Sequence, residues 1–132
     1  MFKEINIKNI EKKENNDFNK DIQWLSDSLG LFNLRDKEKS CFRIFLELIK
    51  AKKEDKLISS DEIAFNSHLS RWTVIHHLTN LTEKGFVISY KQRYALNSKN
   101  VESLISNLEA EINSVMKEIK KTAKDIDKDL NL

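Results

Sequence analysis

Residues 58–96 read ISSDEIAFNSHLSRWTVIHHLTNLTEKGFVISYKQRYAL, and the fold class follows from this stretch. Ser59 and Glu62 stand at capping-box spacing: the hydroxyl serves the amide of Glu62 and the carboxylate reaches back. Ile63, Ala64 and Phe65 give the apolar side of a short helix, and Asn66-Ser67-His68 breaks it. Asn tolerates a left-handed backbone better than most residues, so a tight turn is feasible at this break. Ser70 then caps a helix over about 71–84, whose buried stripe is Val74, Leu78 and Leu81 and whose stop is Gly85. Two β-favouring runs, Phe86–Tyr90 and Arg93–Leu96, flank Lys91-Gln92 as a hairpin in outline, without the Asn-Gly or Asp-Gly that would set its turn.

Upstream, residues 17–30 fit a helix capped by Asp17, with Phe18, Ile22, Leu25 and Leu29 as its apolar stripe and Gly30 as its stop. A second helix is expected over about 37–53, capped by Asp36, with Cys41, Phe42, Phe45, Leu46, Leu48 and Ile49 on a wide apolar face. Residues 54–58 read as a short polar link ending in Leu57-Ile58. Residues 1–16 read as a flexible or partner-ordered arm. Downstream, Val101, Ile105, Leu108, Ile112, Val115, Ile119, Thr122 and Ile126 alternate spacings of 4 and 3, which is a heptad seam. A helix of that length spans roughly 45 Å. It is too long to bury its stripe against the rest of the chain, so a second copy is the economical partner. The division is therefore an arm (1–16), a mainly α domain with a small β-hairpin (17–97) and a C-terminal coiled-coil dimerisation helix (98–132).

Composition excludes several classes. The 132 residues contain no Pro and only 2 Gly, too few turn formers for a loop-rich all-β fold. A single cysteine, Cys41, rules out an internal disulfide framework and a multi-cysteine zinc site, and its place on an apolar face suits a buried, inert thiol. No apolar run reaches the length of a membrane span, and Met1-Phe2-Lys3-Glu4 does not open a secretory leader, so a cytoplasmic protein is expected. No Gly-rich phosphate loop, His-x-x-x-His pair or nucleophile elbow is present, so neither an enzyme nor a cofactor is expected. A net charge of +2 leaves any nucleic-acid argument to where the charges sit.

The pattern S-x-E-I-A followed by L-S-R-x-T-V-x-x-H-L-x-x-L-x-E-K-G-x-V, over residues 60–87, resembles the winged helix-turn-helix domain of prokaryotic transcription regulators. It looks most like the ArsR and MarR groups and their archaeal relatives. The order of elements extends the resemblance over 36–97, and the long last helix is similar to a generic dimerisation helix. The resemblance implies double-stranded DNA as partner, with Ser70, Arg71, Thr73 and His76 entering the major groove.

The residue types suit that role. Hydroxyls bond phosphate, Arg forks onto guanine, and Asn pairs with adenine. The outward faces of 71–84 carry Ser70, Arg71, Trp72, Thr73, His76, His77 and Asn80, and Lys91 and Arg93 of the hairpin stand ready to clamp flanking backbone. Each has a plainer reading. Arg71, Thr73, Lys91 and Arg93 also fit ordinary solvated positions. Trp72 fits packing between helices better than DNA contact, and His77 fits packing beside Leu78. Over 59–97 the bases Arg71, Lys84, Lys91 and Arg93 exceed the acids Asp61, Glu62 and Glu83 by one, a weak electrostatic footprint. A winged helix serving as a protein-interaction or architectural module is the competing expectation. Residues 98–132 hold no His or Cys, which argues against the metal sensing common in ArsR relatives. A small-molecule effector, and parallel or antiparallel pairing of the long helix, stay open.

Overall fold

The structure, a computed structural model, describes residues 2–14, 17–31 and 39–132. It is mainly helical, with one small sheet. The helices are α1 (Phe18–Ser28), α2 (Ser40–Lys53), α3 (Ser60–Ser67), α4 (Arg71–Lys84) and α5 (Val101–Asp129). The strands are β1 (Ile58–Ser59), β2 (Val87–Tyr90) and β3 (Arg93–Leu96), antiparallel in the order β1-β3-β2.

Local chemistry sets the helix ends. The Asp17 carboxylate accepts from the amides of Asn19 and Lys20, and Asn100 caps α5 through the Ser103 amide. Gly85 ends α4 at φ 92°, and its amide returns to the α4 carbonyls of Leu81 and Thr82. The hairpin turn Lys91-Gln92 carries positive φ at both residues, 49° and 63°, the signature of a two-residue type I′ connection made without glycine. That register pairs Tyr90 with Arg93 and Val87 with Leu96.

α2 runs through the centre, against α1, α3, α4 and β3. Ile44, Phe45, Leu48, Ile63, Val74, Leu78, Leu81, Phe86, Leu96, Leu104 and Leu108 fill the core. Cys41 is buried there too.

Several expectations need correcting. β1 takes in the last residue of the expected link and the Ser59 cap; its two residues pair with Tyr94 and Arg93 and add a third strand to the hairpin. Phe18 and Phe65 do not join the core: they are 59% and 82% exposed, because the neighbouring elements cover the other sides of α1 and α3. On α1 the buried face includes Ser26, whose hydroxyl donates to the Ile22 carbonyl at 2.8 Å and so needs no water. The break is shorter than Asn66-Ser67-His68: Asn66 and Ser67 are still helical, and the left-handed residue is His68, φ 55°. α2 begins at Ser40 behind Lys39 in the left-handed region; the expected cap, Asp36, lies outside the described residues.

The arm is extended and contacts its own domain. Phe2 is buried with its ring edge-on to Phe86 at 5.2 Å, the Lys8 amide donates to the Ser28 carbonyl at 2.9 Å, and Trp24 Nε1 donates to the Ile10 carbonyl at 3.0 Å. Gly30 permits this approach: its φ is +65°, and a Cβ there would lie 2.4 Å from the Asn6 carbonyl oxygen. Gly30→Ala therefore combines a left-handed strain with a clash and is expected to cost about 1–3 kcal/mol. Urea denaturation measures the loss, and hydrogen exchange should show the Lys8 amide losing its protection.

α5 divides in two. Leu104 and Leu108 are sealed in the core, and Val101, Ile105 and Ile112 are partly buried against it. Leu108, expected in the dimerisation seam, is instead covered by its own chain. Leu104, outside the seam, does as much for the core, because the domain meets α5 on a face rotated from the a/d line. From residue 113 onward every residue is exposed.

Candidate nucleic-acid interface

α3, the break and α4 form one rigid corner. Arg43 of α2 donates its guanidinium to the Ser67 carbonyl, Asn66 Nδ2 donates to Glu47 Oε2 at 3.3 Å, and the Leu69 amide donates to the Ala64 carbonyl at 3.1 Å. These bonds satisfy the end of α3 and fix the direction in which α4 leaves. Val74, Leu78 and Leu81 then face the core at 1% exposure or less.

The remaining faces of α4 stay open. Ser70, Arg71, Trp72 and His76 are exposed, and Thr73, His77 and Asn80 are half-buried. The Ser70 hydroxyl accepts from the Thr73 amide at 3.1 Å and donates to Thr73 Oγ1 at 2.8 Å, so both hydroxyls are already engaged in the cap. Trp72, expected to pack between helices, is instead 75% exposed and lies parallel to the His76 ring at 5.5 Å. The His76 and His77 rings meet edge-on at 5.5 Å.

The basic groups are less free than their sequence positions suggest. Arg71 Nε lies 3.3 Å from Asp61 Oδ1, with both side chains about 70% exposed. Arg93 Nη1 donates to Glu62 Oε1 at 3.1 Å, which ties β3 to the start of α3. Lys91 sits on the hairpin turn with its ammonium 5.4 Å from the Tyr90 ring centre. Asp61 and Glu62 are thus the residues missed in this region. The sequence shows Glu62 as a cap and both residues as acids, but nothing in a linear spacing announces a pair formed across two elements. Exposed pairs of this kind are worth about 0–1 kcal/mol and separate readily when a stronger anion arrives.

Burial pushes the Glu62 carboxyl pKa upward. The Ser59 hydroxyl and amide, and the charges of Arg93 and Lys56, outweigh it and hold the group below the ordinary glutamate value. A carboxylate depressed on folding stabilises the fold above its unfolded pKa of about 4.3, and that contribution fades as pH falls through the folded value. Thermal melts of the wild type and Glu62→Gln should therefore differ most at neutral pH and converge below about pH 4. A constant difference across that range would count against the capping pair.

Among the described residues no cluster of three His, Cys, Asp or Glu side chains is placed to hold a metal ion. No described helix is long and apolar enough to cross a membrane. Comparison with protein-family models, curated proteins and solved structures gives no match to this chain.

Proposed function

We propose that this chain is a sequence-specific, double-stranded DNA-binding transcription regulator. It is of the ArsR/MarR-like winged helix-turn-helix type and acts in the cytoplasm as a homodimer. In this reading α3 and α4 are the helix-turn-helix, with α4 in the major groove. The β2–β3 hairpin is a short wing beside it, and α5 is the pairing helix. One observation carries the reading: Trp72 and His76 stand uncovered on the side of α4 away from Val74, Leu78 and Leu81, and Arg71 is exposed at the first residue of the helix. The α4 N-terminus adds a positive dipole end next to Arg71.

Selection of bound fragments from a random duplex library, followed by titrations over a salt series, tests it. The expected result is a pseudo-palindromic site with half-sites one helical turn apart. Arg71→Ala should cost about 1–3 kcal/mol at one base position, and Lys91→Ala should weaken all sequences evenly and flatten the salt slope. Absence of sequence preference at every salt concentration would defeat the proposal.

A second reading, a protein-interaction module, draws on the pairing of Arg71 and Arg93 with acids and on the exposure of Trp72 and Tyr90. Asp61→Asn separates the two. It releases Arg71, so DNA affinity rises if α4 meets phosphate, whereas a protein-docking face gains no DNA affinity.

A further inference from the structure

The outer half of α5 has an apolar face wider than a two-stranded seam needs. Val115, Ile119, Thr122 and Ile126 lie on the a and d rows, and Met116, Ala123 and Leu130 add a third row at e. Val115, Met116, Ile119, Ile126 and Leu130 are 49–65% exposed. Glu118 and Asp125 border the face on one side, and Lys117, Lys121, Lys124 and Lys128 occupy the back. A strict a/d stripe suits one partner helix; an a/d/e stripe of about 100° suits a helix bedded on two.

Such a bed exists at the other end of the same helix. Phe18, Ile22 and Leu25 of α1, Ile49 of α2 and Val101 of α5 line an open cleft of about 330 Å³. Phe18 stands at its edge with 59% of its surface exposed. Lys12 lines it as well, 3.5 Å from Asp21. Val101, which lines the cleft, lies on the same d row as Val115 and Thr122.

We infer that two copies pair antiparallel along α5, each laying its outer half along the partner's α5 and its tip into the cleft formed by α1, Ile49 and the first residue of α5. The inference rests on the homodimer proposed above and supplies its geometry. A two-fold axis near residues 113–114 brings Ile126 of one chain level with Val101 of the other, and fills both clefts at once. Parallel pairing would use only residues 113–129, about two and a half heptads, short of the three to four that mark a sustained coil. It would leave Phe18 bare. It would also set Asp129, on the d row, of both chains side by side, whereas the antiparallel form separates the tips.

Spin labels on Lys128→Cys in a Cys41→Ala background give a direct distance. Antiparallel helices place the labels roughly 40–50 Å apart, from the rise per residue. A parallel pair holds them within roughly 20 Å. Phe18→Glu is expected to raise the dimer dissociation constant at least about tenfold, since it puts a charge into the filled cleft, while circular dichroism stays unchanged because Phe18 is exposed in the single chain. A short distance, or a Phe18→Glu dimer as tight as wild type, overturns the antiparallel bed and leaves the homodimer standing. A full-length protein without dipolar coupling, monomeric by sedimentation, removes the homodimer as well.

Discussion

Phe45→Ala should lower the unfolding free energy by about 3–5 kcal/mol, enough to remove a large part of the stability of a domain this size. Phe45 is fully buried on α2, the helix against which α1, α3, α4 and β3 all pack. Removing its ring leaves a cavity that four elements cannot close together. Phe65→Ala is the control: its side chain is 82% exposed, and the change should stay within about 0.5 kcal/mol. Guanidinium unfolding of both variants decides the matter. A Phe45→Ala loss below about 1 kcal/mol would mean that α2 is not the centre of the core.

If the proposed homodimer binds a two-half-site operator, Ile119→Asp is expected to dissociate it and to lower that affinity by about 10²–10⁴-fold, because each monomer then binds alone. Ile119 is 54% exposed within one chain, so the substitution removes no contact of the protomer's own core. Its helicity and melting at high dilution should match those of wild type. Sedimentation reads the dissociation and duplex titration reads the affinity. A variant that remains dimeric would place the subunit contact elsewhere and would take away the role proposed for α5.

Both variants replace residues that look ordinary in the linear pattern; their surroundings set the size of the effect. The candidate interface shows the same thing on a smaller scale. Arg71 and Arg93 were identified from the sequence as exposed bases, and they are exposed. Their acidic partners, Asp61 and Glu62, come into range only once α3 is folded back against α4 and β3. From the sequence Trp72 fits packing between helices. Here no element of the described chain reaches the face on which it stands, and it is 75% exposed.

What the chain by itself determined is what short-range chemistry controls. Ser59, Ser70 and Gly85 mark helix ends because caps act within one turn, and the 4-and-3 spacing of Val74, Leu78 and Leu81 names a buried stripe because α-helical geometry is local. The length of α5 and its heptad rhythm were legible for the same reason. Tertiary structure alone decided β1, two residues whose strand exists only through pairing with Tyr94 and Arg93 far along the chain. It also decided that Phe18 and Phe65 point to water, and that one unbroken seam is partly covered at its start and bare beyond residue 112. Burial depends on which elements meet, and α5 runs on past the point where the domain that covers it ends.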